Sequence, residues 1–324
     1  MNKEYERIEK GSGKLLSRLE GAEFTPKTDI PSDIEHGDMP GDKVEIEDIH
    51  IQKANTIFPK LLKLVCEAVS ENPYERAVIA VCGGSGVGKS ETASLLSYLF
   101  KSMGVGAYTL SGDNYPRRIP MYNDAERLHT FRLCAVKALA ESGKYDEGAR
   151  EIIKKLQQEE RDADESLVGE YPFLKDYIEG GSAGLDAYLG TDREIDFDEV
   201  STIIAAFKDG ARDIWLKRMG RDECSLSYDK VDFSDKNVLI IEWTHGNSDC
   251  LKGVDIPVLL NSTPEETLEH RRSRNRDGKI DSPFTTLVLK LEQQRLHSQA
   301  AKAKIIVSKA GKLLTFEEYK EVMG

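Results

Sequence analysis

Gly83-Gly84-Ser85-Gly86-Val87-Gly88-Lys89-Ser90 stands between an apolar run at 77–82 and a helix-like stretch at 91–101 that Glu91 opens. The spacing is G-x-x-x-x-G-K-S, and its flanks give the pattern a physical meaning. Glycines at the end of a strand let the backbone curl until successive N–H groups point at one anion, and the helix that follows adds the positive end of its dipole. In that setting the Lys89 ammonium reaches the β- and γ-phosphates and the Ser90 hydroxyl becomes a ligand for Mg²⁺. Residues 83–91 are therefore read as a nucleoside triphosphate site. A glycine-rich turn without a ligand is the competing reading, and the strand and helix on either side weigh against it.

The rest of the composition fits a small-molecule partner. With 324 residues, 39% of them hydrophobic, the chain can bury the core of one large α/β domain carrying insertions. A formal net charge of -12 argues against a nucleic-acid binder, which needs a basic face. The five cysteines, Cys66, Cys82, Cys134, Cys224 and Cys250, are odd in number and scattered, with no C-x-x-C. That pattern excludes a zinc ribbon and speaks against a disulfide framework, so reduced cytoplasmic thiols are expected. No apolar run approaches the ~18 residues of a membrane span, and the first twenty residues are charged throughout, unlike a signal peptide. The expectation is a soluble cytoplasmic protein with no membrane partner.

Residues 1–50 are rich in Lys, Glu, Asp and Gly and are interrupted by Pro26, Pro31 and Pro40, which reads as a polar, loosely structured extension. Over 51–69, Ile57, Leu61, Leu62, Leu64, Val65 and Val69 recur at helical spacing and predict an amphipathic helix with a packing role. Five short apolar runs follow at 77–81, 107–110, 238–241, 257–260 and 305–307. They lack strict alternation, as strands covered on both faces do, and helical stretches separate most of them. The expected fold is a three-layer α/β/α domain over 51–324 with a mostly parallel, doubly wound central sheet.

About 125 residues separate the second run from the third, far beyond an ordinary α/β connection, so 119–236 is expected to be an insertion that binds the acceptor. Within it, helices are predicted at 124–142, 146–159 and 198–207, a loop or hinge at Gly180-Gly181-Ser182-Ala183-Gly184, and a hairpin from 214–217 and 225–228. Two later helix starts carry caps. Thr263-Pro264-Glu265-Glu266 has the capping-box pattern, and Ser282-Pro283 precedes a helix over 284–300.

Phosphoryl transfer needs held phosphates, a metal, a group that deprotonates or orients the acceptor hydroxyl, and cations for the charge in flight. Ser111-Gly112-Asp113-Asn114-Tyr115-Pro116-Arg117-Arg118 follows the second strand, where ligands collect in such sheets, and makes Asp113 the candidate base. A loop cap is the competing role for Asp113. Tyr115, Arg117 and Arg118 are candidate substrate contacts. Glu242 closes the third run and is a candidate Mg²⁺ ligand with Ser90, while His245, three residues on, is a candidate substrate contact. Arg271, Arg272, Arg274 and Arg276 crowd the segment before Asp277-Gly278-Lys279 and read as a lid that brings positive charge to the transition state; Arg272 and Arg276 share a helix face.

These residues resemble the P-loop small-molecule kinases of the uridine kinase, phosphoribulokinase and pantothenate kinase group, from about residue 77 to the C-terminus. In that group a strand after the phosphate loop ends in an Asp-x-aromatic motif, as Asp113-Asn114-Tyr115 does here, and the resemblance implies that Asp113 is the catalytic base. A later strand ends in a glutamate, matched by Glu242, although Trp243-Thr244-His245 stands where the group has glycine. An Arg-rich lid then precedes a helix and final strand, similar to 271–306, and Gly311 follows that strand where adenine lies in such folds. A local similarity to adenylylsulfate kinase exists at Leu110-Ser111-Gly112-Asp113-Asn114, but its expected arginine falls on Pro116, with Arg117 one place late.

The expected activity is an ATP- and Mg²⁺-dependent transfer of the γ-phosphate to a hydroxyl of a sugar, sugar phosphate or nucleoside. Adenylylsulfate kinase is the alternative within the class, and a nucleotide-dependent switch or assembly ATPase the alternative outside it. The extension or the insertion offers a surface for a homodimer.

Overall fold

The computed structural model describes residues 5–41, 44–263, 265–268 and 282–323. Every apolar run becomes a strand. β1 (Ala77–Gly83), β2 (Ala107–Ser111), β5 (Val238–Glu242), β6 (Ile256–Leu260), β7 (Ile305–Val307) and β8 (Leu313–Leu314) form one sheet in the order β2-β5-β1-β6-β7-β8. All its pairings are parallel except β7 with β8, which the sequence reading missed because β8 is only two residues long. β1 and β5 are buried at every position, the reason neither alternates in sequence.

The pleat assigns the two faces of this sheet. Ala77, Ile79, Val81, Val258, Leu260, Ile305 and Val307 enter one core with α1 (Lys14–Glu20), α2 (Asp48–Glu71) and α3 (Lys89–Ser102). Cys82, Leu259 and Ile306 turn the other way, against Leu296, Ala300 and Tyr319. The result is the three-layer α/β/α arrangement expected from the sequence.

The polar extension departs from its reading as loosely structured. Leu15 and Leu19, one helical turn apart in α1, are buried with Ile34, and Phe24 packs on Phe58 at 4.8 Å between ring centroids. A single turn's pair of leucines is too short a repeat to register as periodicity among so many charges.

The chain divides into two compact units, Met1–Tyr115 with Asp196–Ser262 and Leu296–Gly324, and Pro116–Ile195 with Thr263–Arg295. The segment read as one insertion, 119–236, is therefore shared between them. α7 (Phe197–Lys208) and the antiparallel ribbon of β3 (Asp213–Arg218) and β4 (Ser227–Asp232) fall in the first unit. The second contains α4 (Pro120–Glu141), α5 (Glu147–Gln158), α6 (Leu174–Asp186) and most of α8 (Pro283–Gln299) around Phe131, Leu139, Leu156 and Tyr177. Both capped starts are present in their hydrogen bonds. The Thr263 and Glu266 side chains each accept from the other's backbone N–H, and Ser282 Oγ accepts from Thr285 N at 3.0 Å.

Gly180, Gly181 and Gly184 lie inside α6 and form no hinge. A Cβ on Gly180 would sit 2.1 Å from Ala138 Cβ, one on Gly181 2.5 Å from the Phe131 ring, and one on Gly184 2.3 Å from Cys134 Sγ. The glycines form a flat stripe that lets α6 approach α4 closely, and a local pattern cannot tell such a stripe from a break. Helix propensity alone would make Gly180→Ala stabilising by ~1 kcal/mol. The contact with Ala138, whose Cβ is fixed to its own backbone, reverses the sign, and Gly180→Ala is expected to destabilise by about 1–3 kcal/mol, read as a lower thermal midpoint.

Candidate active site at the carboxyl ends of three adjacent strands

The phosphate loop leaves β1 and enters α3. Gly88, at the helix N-cap, has φ 89°, and an added Cβ would lie 2.8 Å from the His50 ring. Gly83 has φ 152°, and its Cβ would lie 2.5 Å from the Leu260 carbonyl oxygen of β6. Both positions require glycine on conformation and on space together. Lys89 begins α3 and donates from Nζ to the Gly84 carbonyl at 3.0 Å, which folds the ammonium over the loop.

Helix α2 does more than pack. Its Ile57, Phe58, Leu61, Val65 and Val69 are buried as the periodicity predicts, but His50 and Lys53 are buried too. His50 Nδ1 accepts from Glu47 N in a capping box, and Lys53 Nζ lies 3.5 Å from the Val87 carbonyl oxygen. On its other side Lys53 borders Gly311, whose Cβ would meet Lys53 Cγ at 3.4 Å. Polar residues of α2 thus back the phosphate loop, a role hydrophobic periodicity does not signal.

Topology collects the remaining groups. β5 pairs with β1 so that Glu242 lies opposite Val81, and β2 pairs with β5 so that Ser111 lies opposite Glu242. The ends of β1, β5 and β2 consequently present the loop, Glu242 and the Asp113 turn side by side, outside the carboxyl edge of the sheet. Ser90 Oγ donates to Glu242 Oε2 at 3.2 Å, and Ser111 Oγ donates to Glu242 Oε1. Glu242 is 3% exposed and Ser90 9%, so this carboxylate is held by two hydroxyls in the interior. Asp113 is exposed in a 3₁₀ turn, Gly112–Asn114, directly after β2. A Cβ on Gly112 would sit 1.9 Å from Trp243 Cγ, so the turn lies flat on that buried indole.

The N-terminal segment, read from the sequence as a polar extension and a candidate dimer surface with no part in the site, reaches the same edge. Asp38 Oδ1 accepts from Ser111 N at 2.7 Å and Asn114 Nδ2 at 3.1 Å, and Oδ2 accepts from the Tyr108 hydroxyl at 2.9 Å and Arg218 at 2.8 Å. Burial pushes the Asp38 carboxyl above the usual range, against the pull of Arg218, the Ser111 N–H and the Tyr108 hydroxyl. A Cβ on the neighbouring Gly37 would lie 3.6 Å from Glu242 Oε1. A lone Asp in a Gly- and Pro-rich stretch carries no motif, so nothing in the sequence pointed to it.

The other predicted contacts are placed less directly. Tyr115 is fully buried, with the Lys217 ammonium 5.0 Å from its ring centroid and burial raising its phenol out of the normal range. Lys217 pairs with Glu199 at 3.0 Å, and Glu199 also accepts from the Tyr228 hydroxyl at 2.8 Å. His245 is buried edge-on to Trp243 and Phe197. Arg117 and Arg118 belong to the second unit, where Arg117 N donates to Glu194 O at 2.8 Å and Arg118 to the Tyr188 hydroxyl at 3.0 Å. Arg271, Arg272, Arg274 and Arg276 lie outside the described residues.

Among the described residues no group of three or more His, Cys, Asp or Glu is arranged to hold a metal by itself. The donors at the phosphate loop are a hydroxyl and a carboxylate, hard oxygen ligands that suit Mg²⁺, an ion bound through one or two protein groups together with phosphate oxygens and water. All five cysteines are free thiols, and among the described residues no helix is long and apolar enough to cross a membrane.

No family model matches the chain. Over 261 residues, 81% of this chain, it is 38% identical to the bifunctional alpha-galactosidase/sucrose kinase AgaSK of Mediterraneibacter gnavus, and it spans only 23% of that protein's length. Similar solved structures include a candidate fructose transport system kinase from a Silicibacter species, with 13% identity and a TM-score of 0.41 over 74% of this chain and 88% of that one. A candidate uridine kinase from Bacillus stearothermophilus has 13% identity and a TM-score of 0.39 over 76% and 98%. D-glycerate 3-kinase from Cryptococcus neoformans has 13% identity and a TM-score of 0.32 over 83% and 84%.

Proposed function

We propose that this chain is an ATP- and Mg²⁺-dependent kinase that phosphorylates a hydroxyl of a small sugar, with sucrose the first acceptor to try. The observation that carries the reading is the convergence of Lys89, the Ser90–Glu242 pair and the Asp113 turn at the ends of three neighbouring strands. The 38% identity to a protein that includes a sucrose kinase supports it and suggests the acceptor class.

In this reading the loop's N–H groups and Lys89 hold the β- and γ-phosphates, and Ser90 with Glu242 holds the metal. Mg²⁺ bound there neutralises charge on the phosphate oxygens. Asp113, exposed at the edge, accepts the proton of the acceptor hydroxyl as that oxygen attacks the γ-phosphorus. Glu242→Gln keeps the shape and removes the charge, so the Mg²⁺ needed for half-maximal turnover is expected to rise about 10- to 100-fold, read by titrating turnover against the metal.

The test is ADP formation from ATP and Mg²⁺ with sucrose, fructose, glucose, sugar phosphates, glycerate, nucleosides, pantothenate and adenylylsulfate. Fast turnover with one sugar and slow turnover without it supports the proposal. Hydrolysis at the same slow rate with every compound would point to a nucleotide-dependent switch.

A further inference from the structure

We propose that Asp38 is the positioning residue for Asp113, its carboxylate clamping the two residues that flank the Gly112-Asp113 turn. The inference rests on the phosphotransfer reading above, in which Asp113 is the base. Among the described residues β2 is the edge strand of the sheet, so along its outer side no described strand supplies acceptors for its N–H groups. Asp38 supplies one, taking the Ser111 N–H and the Asn114 side-chain amide on the same oxygen, one residue from either end of Gly112-Asp113. The turn itself is a three-residue 3₁₀ stretch, Gly112–Asn114, that closes with Tyr115 N donating to Gly112 O at 2.9 Å, and so short a 3₁₀ piece, with its poorer hydrogen-bond geometry, gives little rigidity by itself.

The clamp is itself held. Tyr108 and Arg218 occupy the second oxygen of Asp38, and Arg218 is anchored to Asp229 at 3.0 Å. Asn114 is fixed from its other end, where Oδ1 accepts from Met219 N at 3.0 Å. Two distant segments, 108–114 and that of Arg218, therefore close around the carboxylate of a third, all within the first unit. Ser111 also donates to Glu242, so the strand end clamped by Asp38 touches the metal carboxylate as well. A group in van der Waals reach of a nucleophile must be held to well under an ångström, and a misplacement of ~1 Å costs on the order of a hundredfold in rate.

The experiment compares the full chain with Asp38→Asn, Asp113→Asn and the double variant. It measures kcat and acceptor KM at saturating ATP and, separately, nucleotide affinity by calorimetry and the thermal midpoint. Asp38→Asn preserves the shape but turns a donor toward donors, and it is expected to lower kcat roughly 10- to 100-fold with KM and nucleotide affinity within about threefold. In the Asp113→Asn background the same change is expected to cost no more than about threefold, because a missing base cannot be misplaced.

A kcat within about threefold of wild type overturns the proposal, and so does a full, independent loss in the double variant, which would mark Asp38 as a staple of the fold only. If Asp38→Asn shows no cooperative melt, Asn114→Ala decides. It leaves the Asp38 bonds to Arg218 and Tyr108 intact and is expected to lower kcat about tenfold in the presence of Asp113 and not in its absence; an unchanged kcat overturns the proposal. A wild-type chain with no acceptor-dependent turnover overturns the phosphotransfer reading and this inference with it, a failure visible before any variant is made.

Discussion

Lys89→Ala is expected to lower acceptor-dependent ADP formation by about a thousandfold or more, to the limit of detection. Fixed cations at a transferring phosphoryl group are worth on the order of 10³–10⁵ in rate, because they meet charge that grows in the transition state without having to reorganise. Lys89 is fixed in that sense. Its backbone opens α3, so the helix sets where the side chain starts, and its bond to Gly84 O sets where the ammonium ends. Alanine removes the cation and leaves the helix, so the thermal midpoint should change little. Turnover within about tenfold of wild type would remove Lys89 from the mechanism.

Asp113→Asn should have the second-largest effect, a fall in kcat of about 10²–10⁴ with nucleotide affinity nearly unchanged. The separation follows from the topology. The loop proposed to hold phosphates leaves β1, whereas Asp113 follows β2, with β5 between them. Removing the carboxylate therefore leaves the loop's amides and Lys89 in place. The measurement is a kinetic comparison at saturating acceptor beside a calorimetric titration with nucleotide. If kcat survives, another group accepts the proton, and the resemblance of Asp113-Asn114-Tyr115 to the kinase motif has misled.

The parts of this candidate site that were legible in sequence are those in which the local chain carries the motif. The phosphate loop needs glycines, a lysine and a serine in fixed order, and its neighbours in space are its neighbours in sequence. Glu242 and Asp113 were legible because strand ends are, and because a parallel sheet gathers its carboxyl ends at one edge. The rest depends on contacts that no window spans. Asp38 meets Arg218 across 180 positions and Asn114 across 76, with nothing in its own surroundings to mark it. The glycines of α6 read as a break because local pattern carries the cost of glycine in a helix and not the closeness of Ala138 and Cys134 that requires it. His50 and Lys53 were passed over for a related reason, since they lie on a helix whose apolar stripe already accounts for its burial.

The contact between Gly112 and Trp243 gives the molecule a built-in optical probe. There are two tryptophans, Trp215 at 53% exposure on the ribbon and Trp243 at 1% beneath the turn that carries Asp113. A soluble quencher that reaches the first indole and not the second leaves an emission signal that comes from beneath the Asp113 turn alone. Ligand arrival at the Asp113 edge can then be followed in real time in the unlabelled protein, with Trp215→Phe as the version in which no quencher is needed.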